Sequence, residues 1–306
     1  MLFIISLISF VAINLAPNSF FASGELNPNI TPEAIEELKA IYGLDKPLYI
    51  QFFSWIYSIL QLDFGISFTS GEKVKEEILS RIPITLTINI VSMILIFIIS
   101  LYFGIKSAMK KNSIFDRFTN QLSLLSFSMP SFYLALVLVL VFSIKFELFP
   151  ISRPHSVPND CSLNYYLDFA RHLTLPIFII VFGGIGSLIL YIRALTIEIL
   201  KSDYIFFARA RGLDNKKILR YYILPNLYPP VITLLGLSLP GIIGGSVILE
   251  TIFSIDGMGL LFYQSALSHD YPVIMGILII GAFLTLIGNM FADLILLKLN
   301  PNYNEK

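Results

Sequence analysis

Hydrophobic residues lie along the chain in long runs without charge, and polar residues fill the intervals between them. A helix needs about 20 apolar residues to cross a hydrocarbon core about 30 Å thick. Five runs reach that length without Asp, Glu, Lys or Arg: residues 84–105, 122–144, 173–192, 227–249 and 271–292. A sixth, shorter run covers residues 1–16. The pattern predicts an all-α integral membrane protein with six transmembrane helices.

The first run has neither a basic leading region nor a small-residue cleavage site, so we interpret it as a helix rather than a signal peptide. With six spans and both termini cytoplasmic, the inside segments are 106–121, 193–226 and the tail after 292. These segments hold thirteen of the 21 Lys and Arg residues in about 65 positions. The excess of basic residues supports this orientation.

The segment 17–83 then lies outside the membrane and is too long for a simple turn. Thr31 and Pro32 are typical of a helix start, and Gly43 is typical of a helix end. We therefore expect a small extracytoplasmic segment with a short helix between spans 1 and 2. A second outside loop, around 149–172, is rich in Pro, Ser and Asn and is predicted to be irregular.

Composition narrows the possible functions. Hydrophobic residues make up 56% of the chain, charged residues make up 14%, and the net charge is zero, which argues against a broadly basic nucleic-acid-binding surface. A P-loop is absent, because no Gly is followed by Lys. If ATP drives this protein, a partner must hydrolyse it, and the loop 193–226 is the only sizeable cytoplasmic surface that a partner could bind.

That loop predicts a helix over 203–211, a break at Gly212, and a second helix over 214–222 that ends before Leu224 and Pro225. Its basic residues alone require no more than retention of the loop in the cytoplasm. The amino-acid sequence of residues 203–213 is more specific. It resembles the coupling loop of inner-membrane permeases in binding-protein-dependent ABC importers. Gly212, Leu224 and Pro225 fall in the family register, and Ala208 matches its second alanine.

Two positions depart from the family pattern, since Phe206 replaces its acidic residue and Phe207 its first alanine. The Ala-Arg-Ala-Arg-Gly sequence resembles that of the family's dipeptide, oligopeptide and nickel branch. Further matches are residues 62–67, 81–86, 128–132, 250–259 and 269–272, so the resemblance covers almost the whole chain. Asp256 stands where the family usually has proline, which leaves the stiffness of that outer turn open.

The resemblance implies alternating access, with a second homologous permease, two cytoplasmic ABC ATPase subunits that use ATP and magnesium, and an extracytoplasmic solute-binding protein. The chain itself would carry no catalytic residue, cofactor or metal, and would lie in the bacterial inner membrane. The implied ATPase-coupling residues are Asp203, Phe206, Phe207, Ala208, Arg209, Ala210, Arg211, Gly212, Leu224 and Pro225. Phe206 and Phe207 would make that contact more hydrophobic.

Polar residues and prolines near the spans are candidates for the pathway or a gate, although most such residues only bond to a neighbouring helix. The candidates are Asn89, Ser128, Pro130, Ser131, Ser246 and Glu250. We expect Glu250 and Asp293 to stay hydrated at opposite span ends. Gly183, Gly184 and Gly186 are better explained by helix packing than by nucleotide binding, because no strand precedes them.

Three alternatives remain. Nickel or metal-chelate import would use the same mechanism, and His155, Asp160, Cys161, His172 and His269 are the available ligands, although their spacing fits no standard site. An intramembrane protease would need a serine with a histidine, or paired aspartates, at membrane depth. A passive channel would not need the helix, turn, helix loop. We expect peptide import.

Overall fold

The computed structural model describes residues 6–7, 10–11, 46–151, 162–238, 241 and 246–299. In this part of the chain all regular structure is helical, apart from one bridge between Ile66 and Lys73. The predicted first span over 1–16 is described only at four residues. The predicted helix near Thr31 lies outside the described residues.

We number the helices in chain order. They are α1 (Leu48–Leu60), α2 (Val74–Met109), α3 (Ile114–Ser128), α4 (Ser131–Leu138), α5 (Leu163–Leu200), α6 (Asp203–Ala210), α7 (Asn215–Ile218), α8 (Leu224–Ser238), α9 (Val247–Ile252), α10 (Met258–Leu267) and α11 (Tyr271–Leu299). Wider π-helical turns extend α4 over Val139–Lys145 and join α7 to α8 over Leu219–Ile223.

Among the described residues, three helical segments are long and apolar enough to cross a membrane: Val74–Met109, Leu163–Leu200 and Tyr271–Phe291. A bent pair, Ile114–Ser128 with Ser131–Lys145, would make a fourth. The structure therefore supports a helical membrane protein. The predicted number of six spans stays a prediction.

All three long helices exceed the apolar runs that predicted them, and α11 does so by extending past residue 292 to Leu299. Helix α2 begins at Val74, ten residues before position 84. The helix dipole favours the negative charges of Glu76 and Glu77 in its first turn. Helix α5 begins at Leu163, where the Ser162 hydroxyl accepts the Tyr165 N–H at 3.2 Å as an N-cap.

The run 122–144 is not one straight helix, because the chain bends by 99° between α3 and the α4 segment. Met129 is extended, with φ −85° and ψ 121°, as a residue before proline prefers. Pro130 then takes the N-cap position of α4. The run 227–249 is also not one continuous helix, because Ser246 is extended and caps α9, which begins at Val247. Residues 239–240 and 242–245 lie outside the described residues.

The bundle centres on α5, which packs against α2 and α3. A Cβ on Gly184 would lie 2.5 Å from Ile96 Cδ1, and one on Gly186 would lie 2.5 Å from the Ser123 carbonyl oxygen. These two glycines permit close helix approach, which confirms the packing interpretation for them but not for Gly183, where an added Cβ would have no neighbour within 4 Å. The Ser126 hydroxyl donates a hydrogen bond to the Phe182 carbonyl and joins α3 to α5.

Candidate ATPase-coupling site

Helix α6 is the short element that carries most of the predicted coupling residues. Ser202 precedes it in an extended conformation, and Asp203 places a carboxylate in the first turn, where the helix dipole favours negative charge. Arg209 lies in the last turn, where the dipole favours a cation. The local sequence therefore accounts for an eight-residue helix at this point.

Gly212 ends α6 through a left-handed backbone conformation with φ +78°. The Gly212 N–H donates to the Arg209 carbonyl at 2.9 Å, and the Leu213 N–H donates to the Ala208 carbonyl at 3.2 Å. These two bonds form a Schellman motif. A side chain at position 212 would have free space but an unfavourable backbone, so the requirement for glycine is conformational.

The two faces of α6 differ sharply. Ile205 and Ala208 are both buried, and Ile205 lies in a cluster with Ile105 of α2, Ile192 of α5 and Leu227 of α8. Phe206 and Phe207 point away from this cluster and are 69% and 61% exposed. The helix is therefore attached to three long elements through one face and presents an aromatic pair on the other.

The other predicted residues of α6 and its cap, Asp203, Arg209, Ala210, Arg211 and Gly212, are also exposed. The exposed surface combines two phenylalanines with two guanidinium groups. It contains no nucleophile paired with a base. Such a surface is suited to binding another protein.

The second half of the loop differs from the prediction. Asp214 caps α7 by accepting the Lys217 N–H at 3.0 Å, as expected. Leu224 and Pro225 do not end that helix, because a wide turn, with the Leu224 N–H bonded to the Leu219 carbonyl, continues it directly into α8. Proline has no N–H to donate, and a wider turn is one way for a helix to continue past it.

A buried ion pair lies beside this loop and was missed by the sequence analysis. The Arg193 guanidinium of α5 donates to both Asp116 carboxylate oxygens, at 2.6 and 2.9 Å. Asp116 also accepts the Ser107 hydroxyl and, at 2.9 Å, the Asn112 N–H. The Arg193 guanidinium therefore neutralises the buried Asp116 carboxylate. The pair joins α2, α3 and α5 ten residues before α6.

The six candidate pathway residues fall into two groups. Ser128, Pro130 and Ser131 are exposed at the bend between α3 and α4. Asn89, Ser246 and Glu250 instead line one crevice, together with Ile88, Pro176 and Leu249. Their roles in a pathway or gate stay predictions.

The sequence analysis expected Glu250 to be hydrated, but the residue is only 4% exposed. Its carboxylate accepts the Leu260 N–H at 2.8 Å, so the N-terminus of α10 replaces water. A Cβ on Gly257 would lie 2.6 Å from Glu250 Oε2 and 2.7 Å from Thr85 Oγ1. The glycine therefore makes room for the carboxylate, which fastens α10 to α9.

The candidate metal ligands do not assemble in the described residues, where no group of three His, Cys, Asp or Glu side chains could hold an ion. His172 is buried, with Nδ1 2.8 Å from the Asp168 carbonyl oxygen. His269 lies against Tyr271, and His155, Asp160 and Cys161 lie outside the described residues.

Fold and site together define a helical membrane protein with a short helix whose aromatic face is exposed. Two family models match the chain: "Binding-protein-dependent transport system inner membrane component" over residues 100–305, and the corresponding N-terminal component over residues 1–89. The chain therefore belongs to the family of inner membrane components of binding-protein-dependent transport systems.

Individual proteins agree with this assignment. The chain is 35% identical to the oligopeptide transport system permease protein AppB of Bacillus subtilis, over 97% of this chain and 93% of that protein. It is 31% identical to the metal-staphylopine import system permease protein CntB of Staphylococcus aureus, over 91% and 85%. A solved inward-facing MetNI methionine ABC transporter shares the fold, with a TM-score of 0.57 and 17% identity over 72% of this chain and 95% of that chain.

Proposed function

We propose that the chain is the permease subunit of an ATP-driven importer of dipeptides or oligopeptides, which works by alternating access. A second homologous permease completes the pathway, two ATPase subunits bind ATP and magnesium beneath it, and a solute-binding protein delivers the solute from outside. Both termini lie in the cytoplasm, and six spans cross the membrane. The name of the relative AppB supports peptides as the solute class.

The observation that carries the coupling role is the two-faced character of α6. Its buried Ile205 packs with residues of α2, α5 and α8, so a displacement of α6 must displace or strain these helices. Its exposed Phe206 and Phe207 provide the apolar contact for the ATPase. Closure of the ATPase pair on ATP would therefore move the spans as bodies and favour one of two states.

Gly212 offers a test of this role. We expect Gly212→Asp to abolish uptake of a labelled dipeptide while the chain still inserts in the membrane. Asparagine is the matched control, because it has the same shape and also adopts the left-handed conformation. Asp differs by placing a negative charge beside the C-terminal carbonyls of α6, where the dipole disfavours it, and on the docking surface.

Uptake is measured in cells whose only copy of the gene carries each variant, and the chain is quantified in isolated membranes. We expect Gly212→Asn to retain most of the uptake that Gly212→Asp loses. Normal uptake with Gly212→Asp would contradict the assignment of α6 and Gly212 to coupling. Loss of the Asp variant from the membrane would show a folding defect, and Phe207→Glu, on the exposed face of α6 with an ordinary helical backbone, would then repeat the charge test.

A second candidate, import of nickel or a metal chelate by the same mechanism, is favoured by one observation. CntB is named for metal-staphylopine import and is 31% identical to this chain. A chelated metal does not require ligands from the spans, because the chelator already provides them. The two solute classes are separated by the uptake experiment described at the end of the Discussion.

A further inference from the structure

Helix α1 is an apolar element that the transport mechanism does not use. It contains thirteen residues and no Asp, Glu, Lys or Arg. At about 1.5 Å per residue it is roughly 20 Å long, which is about two thirds of the hydrocarbon thickness of a bilayer. The helix is therefore too short to span the membrane, although its composition is that of a membrane segment.

One face of α1 packs against the transmembrane bundle. Phe52 is buried and contacts Phe10, with ring centroids 5.3 Å apart, and it shares a cluster with Met275 of α11. Trp55 and Ile56 pack against the same cluster. Met275 is only four residues, or about one helical turn, beyond the start of α11. This contact holds α1 at the depth where that span enters the membrane.

A second face of α1 is polar. At about 100° per residue, Gln51, Ser54 and Ser58 fall within an arc of roughly 60°. The Gln51 side chain donates to the Lys46 carbonyl oxygen at 2.7 Å, and Ser54 is exposed. This arc is suited to water or to lipid headgroups.

The third face of α1 is apolar, aromatic and exposed. Tyr49, Phe53, Tyr57 and Leu60 fall within an arc of roughly 80°, on the opposite side of the packed face from Ser54. Each is between 61% and 77% exposed. Four large apolar side chains in one stripe form a patch that a soluble surface rarely presents.

We infer that α1 lies in the membrane interface at the end of the bundle where α11 begins, with this aromatic stripe in the lipid. The order of the three faces around the helix supports lipid as the occupant. One face packs against the bundle, the aromatic stripe lies to one side of that face, and the polar face lies to the other. Tyrosine and tryptophan concentrate at this depth because their rings are apolar and their polar atoms reach the headgroups. The inference does not depend on the transported solute.

Tryptophan fluorescence can test the position of α1, because Trp55 is the only tryptophan in the chain. The assembled transporter is placed in lipid nanodiscs with Trp55→Phe as the background, and its emission is subtracted to remove the tryptophans of partner subunits. Phe53→Trp in this background reports on the stripe, and Ser54→Trp is the matched control on the polar face. Tyr57→Trp is a second reporter should Phe53→Trp fail to assemble.

We expect the Phe53→Trp emission to be shifted to shorter wavelength and lost with lipids brominated near the headgroup, but to resist aqueous iodide. The Ser54→Trp emission should be lost with iodide. Equal loss of both emissions with iodide would place the helix in water and overturn the inference. Protection of Phe53→Trp from both quenchers would show that a protein, such as the second permease, covers the stripe, and it would equally overturn the inference.

Discussion

At the scale of single residues, Asp116 is a charged group that lies almost completely buried. It is 2% exposed, yet it is held as a carboxylate by Arg193, Ser107 and the Asn112 backbone. Satisfied in this way, a buried charge fixes the relative positions of the elements that bond to it.

We expect Asp116→Asn to lower the free energy of unfolding by about 2 kcal/mol, because it leaves the Arg193 guanidinium without its anionic partner. Asp256→Asn is the matched control. The Asp256 carboxylate lies 2.8 Å from Arg81, but its side chain is 68% exposed, so its loss should change stability by about 0.5 kcal/mol or less. Unfolding of the detergent-solubilised protein, followed by circular dichroism, measures both. Equal effects would refute the distinction between the two pairs.

At the scale of elements, the faces of α6 should separate stability from coupling. Ile205→Ala leaves a cavity in a fully buried cluster and should destabilise the protein by about 2–4 kcal/mol. Phe206→Ala and Phe207→Ala remove exposed side chains, so they should leave stability nearly unchanged and reduce ATPase binding. Thermal unfolding and co-purification of the ATPase in mild detergent test the two halves. Retention of the ATPase by both Phe variants would contradict the docking surface.

The sequence predicted α6 and its cap well because every signal is local: the acidic first turn, the alanines and the glycine all act within ten residues. It did not predict the burial of Glu250, since the donor comes from Leu260 after the chain has reversed direction. Pro130 signals a break in the run 122–144, but the sequence does not specify the direction or the 99° size of the bend there. The Asp116–Arg193 pair joins residues 77 positions apart, beyond any periodicity.

At the scale of the whole molecule, the chain combines long apolar runs with the charged and aromatic surface of α6, which we propose faces the cytoplasm. The five long apolar runs contain no Asp, Glu, Lys or Arg, whereas a bare divalent cation is usually held by several oxygen or nitrogen ligands. A peptide needs no such ligand set. A metal that arrives inside a chelator also avoids this requirement, so the experiment must include both forms of the metal.

We expect cells lacking this chain to lose uptake of a labelled dipeptide and to recover it when the chain is restored, while uptake of free nickel is unchanged. Each solute is supplied separately, as dipeptide, free nickel ion and nickel with excess histidine, and the Gly212→Asp variant is the control for coupling.

Dependence of only the nickel–histidine complex on the chain would replace peptides with metal chelates and leave the coupling mechanism in place. If no solute depends on the chain, although it is present in the membrane, import of dipeptides, free nickel and the nickel–histidine complex is refuted. A dipeptide signal that survives Gly212→Asp would instead contradict coupling through α6, so the outcome for the solute and the outcome for the mechanism stay distinguishable.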